Sequence, residues 1–182
     1  MGTRRSLHAR PTGLSMLESL LVAGVAAGLL ATAGPQVAQW RSQQAVRAAA
    51  AHFETDVHHA RSLAVARHAA VRLSIHDTAA GGTCYLVHGG PREACHCDSR
   101  GVALCQDGHP LWQSVHFEPG SDVRLTSNVS GMLFDPTMGT VTPTGTVSFT
   151  SRDGRAVRAV VSILGRVRQC SPGRRLPDLL PC

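Results

Sequence analysis

The chain has 182 residues, of which 43% are hydrophobic, 4% aromatic and 16% charged, with a formal net charge of +6. That length holds one ordinary domain plus a short extension, and so sparse a charge excludes a disordered acidic or basic tail protein. Every basic residue is arginine and the aromatics are few, so a core must lean on Val, Leu, Ile and Ala. The first thirteen residues hold Arg4, Arg5 and Arg10 and no acid, and residues 14–33 then supply an almost unbroken apolar run. As a helix that run is about 30 Å long, enough to span a hydrocarbon core. The basic residues ahead of it predict a cytoplasmic N-terminus and an exported remainder. A secretory signal cleaved near Ala31-Thr32-Ala33, or a plain anchor, explains the run equally well. Neither accounts for Glu18, a carboxylate inside the apolar segment, which costs roughly 2.5–3.5 kcal/mol at the centre of a membrane helix and less near its end.

Gly13, then Leu14, Glu18 five positions after the glycine, and Pro35 further along resemble the type IV pilin family. The resemblance implies that residues 1–13 are a leader removed by prepilin peptidase after Gly13. Leu14 then becomes the N-methylated first residue, and Glu18 pairs with a neighbouring subunit's N-terminal amine. The usual Phe and Thr after the cut are Leu14 and Ser15 here. On this reading residues 14–35 form the transmembrane and assembly half of a long helix.

Beyond Pro35, Val46, Ala50, Phe53, Val57, Ala60 and Ala64 recur at three- and four-residue steps, which predicts an amphipathic second half of the helix over residues 36–70. From Val71 the apolar period changes to two. Strands are expected from Val71, over Cys84–His88, Leu111–Phe117, Val123–Thr126, Gly131–Phe134, Thr144–Thr150 and Ala156–Leu164. Gly- and Pro-rich turns separate them, and Asp153-Gly154 between two alternating runs is the strongest hairpin signal. The class is therefore α+β, a long N-terminal helix packed on a C-terminal antiparallel sheet domain over residues 71–182.

Phe134 with Gly139, Gly145-Thr146-Val147-Ser148-Phe149 and Gly165-Arg166-Val167-Arg168 resemble the FimT/GspH branch of minor pilins and pseudopilins, FimT most of all. That resemblance implies a minor pilin built into a type IV pilus, in which the arginines of the Gly-Arg-x-Arg motif bind extracellular DNA for natural transformation. Gly165, Arg166 and Arg168 are the residues it singles out. Arg174 is a further candidate outside any motif. The alternatives are a minor pilin that only primes assembly and a GspH-type pseudopilin of type II secretion.

The six cysteines, Cys84, Cys95, Cys97, Cys105, Cys170 and Cys182, all follow the apolar run, and an even number with predicted export argues for disulfides. Six cysteines allow fifteen connectivities. The pilin resemblance implies Cys170–Cys182, which leaves the other four to pair among themselves. Cys84, Cys95, Cys97 and Cys105 lack the C-x2–4-C pairs of a structural zinc site, so no metal is expected, and no cofactor.

Residues 152–182 hold seven arginines against Asp153 and Asp178, so charge is concentrated at this end. If one strand continues through 168, Arg166 and Arg168 share a face, where guanidinium forks grip successive phosphates of double-stranded DNA without reading its sequence. His52, His58 and His59 lie on the helix and are expected at the surface, His52 and His59 with no obvious carboxylate partner. No framed nucleophile motif is present, so the protein is read as a non-enzyme. The expected partners are other major and minor pilins, prepilin peptidase, the inner membrane and DNA. The expected place is the inner membrane, with the C-terminal domain periplasmic, and then the pilus.

Overall fold

A computed structural model describes residues 15–106, 108–173, 176 and 178–182, those at 32–35 as backbone alone. Gly13, Leu14 and Arg174 lie outside the described residues. The chain falls into two compact units that meet between Gln39 and Trp40.

Helix α1 runs Met16–Arg67 and contributes to both units. Its start is capped by Ser15, whose Oγ accepts a hydrogen bond from the Glu18 backbone N–H at 3.2 Å. Ser15-Met16-Leu17-Glu18 is the S-x-x-E pattern of a capping box, and a carboxylate in a first turn is favoured by the helix dipole. Glu18 thus stands in the favourable first turn of its own helix. In the first unit Leu17, Leu20, Leu21, Val22, Val25, Leu29 and Leu30 are each more than 60% exposed. A helix apolar on all sides requires lipid or other helices around it. No single helix among the described residues is long and apolar enough to cross a membrane; Met16–Ala31 and Gln36–Arg67 together are, by length and composition.

The helix ends three residues before the expected Ala70, at a left-handed residue, His68, with φ of 49°. His68 N–H bonds Val65 O and Ala69 N–H bonds Ala64 O, a Schellman closure that satisfies the last carbonyls.

Among the described residues the second unit carries eleven strands: β1 Val71–Asp77, β2 Thr83–Gly89, β3 Cys95–Cys97, β4 Ala103–Cys105, β5 Leu111–Phe117, β6 Val123–Ser127, β7 Gly131–Phe134, β8 Val141–Thr142, β9 Gly145–Ser151, β10 Ala156–Val161 and β11 Val167–Cys170. They form a five-stranded sheet ordered β5-β2-β1-β7-β8, a four-stranded sheet ordered β11-β10-β9-β6, and the small pair β3-β4. All named pairings are antiparallel. The expected helix face is the core face: Val46, Ala50, Phe53, Val57, Ala60 and Ala64 are fully buried. They join the inward residues of both sheets, among them Leu73, Tyr85, Val87, Leu125, Val147, Phe149, Val157 and Val161. Phe53 stands edge-on to Tyr85 at 5.5 Å and tilted against Phe149 at 5.7 Å. One side chain of the helix therefore touches both sheets, and Phe53→Ala would forfeit about 3–5 kcal/mol.

The expected strand Ala156–Leu164 is corrected. It stops at Val161, and the chain turns through Ile163 and Leu164, which are 57% and 51% exposed. Ser162 N–H bonds Arg166 O at 2.9 Å and Gly165 N–H bonds Ser162 O at 2.9 Å, closing a hairpin tip with Gly165 at φ of 70°. Arg166 and Arg168 consequently belong to the returning segment, not to a continuation of the strand before them.

Candidate functional site

Alternation along the four-stranded sheet sends Val157, Ala159 and Val161 of β10 inward and Arg158 and Val160 outward. On β11, Gln169 turns toward the helix, its amide donating to Glu54 Oε2 at 2.6 Å, so Arg168 is on the outer face. Arg166 is two residues ahead on the same side, opposite Ser162, and its N–H bonds Ser162 Oγ at 3.2 Å. Both arginines are exposed. The other outward residues are Arg124 and Thr126 on β6 and Thr146, Ser148 and Thr150 on β9. The strand residues of this face are arginines, hydroxyls, one valine and one alanine, with Cys170 of the Cys170–Cys182 disulfide and no carboxylate.

Four arginines of the described residues are tied to acids. Arg47 meets Asp178 at 2.7 Å, Arg100 meets Asp98 at 3.6 Å, Arg152 meets Asp122 at 3.7 Å, and Arg155 pairs with Asp153. The arginine-rich end is thus narrower than its composition suggests, because Arg152 and Arg155 are neutralised locally. Arg158, Arg166 and Arg168 have no acid partner among the described residues. Neither does Arg124, which the sequence reading did not single out and which only the β6–β9 register brings to this face.

Two glycines of the family-like segments, Gly139 and Gly165, share a physical reason. Gly139 and Gly165 both have positive φ, at 63° and 70°. A Cβ on Gly139 would sit 2.9 Å from Arg61 Nε, and one on Gly165 would sit 2.9 Å from Arg61 Cδ. The stem of Arg61 therefore threads between a turn of one sheet and the hairpin tip of the other. The turn holding Gly139 is fixed by Asp135, whose Oδ1 accepts from the N–H groups of Thr137 and Met138 at 2.8 Å each. Those bonds hold the exposed carboxyl below the usual range. The tip is tied across as well, Val141 N–H bonding Ile163 O at 2.8 Å.

The outer face of the five-stranded sheet is covered. Cys84–Cys97 ties the segment that carries β3 and β4 to β2, Cys95–Cys105 joins β3 to β4 within it, and β3 lies against β1 and β2. With Cys170–Cys182, every one of the six cysteines is bonded. Gly101, at φ of 81°, lies on the His116 ring, where a Cβ would come within 2.2 Å. Beneath this cover Ser74 Oγ and His88 Nε2 are hydrogen-bonded at 2.8 Å, and His88 Nδ1 meets Gly89 O at 2.9 Å. Burial first, then neighbouring histidines and arginines, lower the pKa of His76; burial first, then Arg72 and His109, lowers that of His88.

The reading of the helix histidines is corrected at His52, which has a carboxylate one turn away, and His58 has one too. His52 Nδ1 is 3.1 Å from Asp56 and His58 Nε2 is 3.7 Å from Glu54. Asp56 is buried and accepts the Tyr85 hydroxyl at 2.6 Å; burial and this bond push the phenol's pKa far up, so it stays protonated. The sequence signal was the i, i+4 spacing itself.

A family model described as Type II transport protein GspH matches residues 49–165. A search of curated proteins gives no match. Among solved structures, the type IV minor pilin FimU of Pseudomonas aeruginosa is similar at 15% identity and a TM-score of 0.49, covering 71% of this chain and 90% of that one. The minor pseudopilin EpsH of the Vibrio cholerae type 2 secretion system is similar at 13% identity and a TM-score of 0.49, covering 70% and 98%.

Proposed function

The chain belongs to the GspH family of pilin-like proteins, and from that premise we propose that it is a minor pilin of the FimT kind that captures DNA. In this proposal prepilin peptidase cuts after Gly13, Leu14 becomes the mature N-terminus, and the all-round apolar helix passes from the inner membrane into the helical bundle of a pilus. Glu18 caps its own helix or, at a subunit junction, meets a neighbour's amine. The strand domain is periplasmic first and extracellular later.

The observation that carries the DNA reading is the pair Arg166 and Arg168: exposed, on one side of the returning segment, and without an acid partner among the described residues. Two forks two residues apart match successive phosphates, and a backbone contact of this kind positions a duplex without reading its sequence. Arg174 belongs to the proposal only as a neighbour in the loop closed by Cys170–Cys182. The test is titration of labelled duplex DNA with the full-length protein in neutral detergent at several salt concentrations. We expect a log–log salt slope of roughly −2 to −4, and loss of binding in Arg166→Ala/Arg168→Ala with an unchanged circular dichroism spectrum. No binding by the wild type at low salt would overturn the reading.

One observation favours a second reading: the matching family model is described by type II transport. A pseudopilin of that machine would share the helix and sheets and use the basic face against an acidic protein. The same titration separates the two.

A further inference from the structure

The four acid-free arginines of the outer face are not scattered. Register places Arg168 opposite Val160, and Arg158 opposite both Cys170 and Ser148. Ser148 is opposite Thr126, and Arg124 is opposite Thr150. With about 4.8 Å between strands and about 3.4 Å per residue, Arg166 to Arg168 is about 7 Å, Arg168 to Arg158 about 8 Å, and Arg158 to Arg124 about 12 Å. Each step moves in the same sense along the strands, and the last two also move in the same sense across them. The result is one diagonal line about 25 Å long, flanked by Thr126, Thr146, Ser148 and Thr150.

We propose that Arg158 and Arg124 continue the Arg166–Arg168 pair into a stripe that seats a duplex along the sheet diagonal, about seven base pairs at 3.4 Å each. This rests on the DNA reading above and extends it from a motif to a surface. The hydroxyls between the arginines supply further donors to phosphate oxygens. No aromatic side chain stands on the face, so base stacking adds nothing. Two carboxylates stand at the Arg124 end: Asp122 is held by Arg152, and Glu118 lines the same groove as Arg124. Arg124 therefore contributes less than Arg158.

The test compares the full-length wild type, Arg124→Gln/Arg158→Gln, and Arg47→Gln/Arg100→Gln, which removes the same net charge from acid-paired positions. Each is titrated with a 20-base-pair duplex across a salt series, with circular dichroism confirming the fold. The stripe variant should lose about tenfold in affinity at low salt and about two from the magnitude of the salt slope, while the control keeps the wild-type slope. An unchanged slope in the stripe variant, with Arg166→Ala/Arg168→Ala still losing binding, would overturn the stripe and leave the motif reading intact. Equal losses in stripe and control variants would overturn it too, assigning the effect to overall charge. A wild type that does not bind overturns both.

Discussion

The two sheets of the second unit alternate apolar and polar residues in the same way, yet their outer faces have opposite fates. On the five-stranded sheet the outward row of Arg72, Ser74 and His76, with Cys84, Leu86 and His88 beside it, is closed over by a segment held by two disulfides. Covering it leaves His76 Nε2, His116 Nε2 and Arg72 Nε buried without a hydrogen-bond partner among the described residues. On the four-stranded sheet the outward row is open, and its polar groups are hydroxyls and arginines without an acid partner among the described residues. A pleated sheet is indifferent to which face it offers; covalent links decide it here. The open face is free to meet a partner because the other one carries the burden of small-domain stability.

The largest expected effect comes from breaking the cover. Cys84→Ser/Cys97→Ser should cost about 2–5 kcal/mol in urea unfolding, while DNA affinity of the folded fraction stays at the wild-type value. An equal loss of binding would mean that the two faces are not independent. Next is Gly165→Ala, which places a Cβ against Arg61 at a backbone angle that favours glycine. It should cost about 1–2 kcal/mol and, by tilting the tip, weaken DNA binding along with stability. The smallest effect is that of pH. His76 and His88 have folded-state pKa values below the ordinary histidine value of 6.5, so the unfolded chain takes up protons first. Stability is fully present above about pH 6.5 and declines as pH falls below it, read as a falling Tm, and His88→Gln should flatten that decline. The arginine face keeps its charge throughout, so binding by the folded protein should not follow the same curve.

Where a single period ran long enough, the sequence was legible. The six apolar positions read for α1 are all buried, with Asp56 buried beside them, Leu111–Phe117 and Gly131–Phe134 stand as expected, and Asp153-Gly154 makes its hairpin, with Gly154 at φ of 79°. It misled where chemistry and period disagreed. Ile163 and Leu164 look like strand, yet they cap a turn whose only local signal is Gly165. The short strands β3, β4 and β8 have too few residues to show a period. Of the site, Arg166 and Arg168 were visible as a motif. Arg124 joins them through β-pairing distant in sequence, and Arg61 is tied to Gly139 and Gly165 by a contact that no local pattern encodes.

That last contact has a mechanical consequence. Arg61 lies between a turn of one sheet and the hairpin tip of the other, and the Val141–Ile163 hydrogen bond closes the same junction. Tension carried along the helix therefore reaches both sheets together and loads them in parallel, instead of prying one from the other.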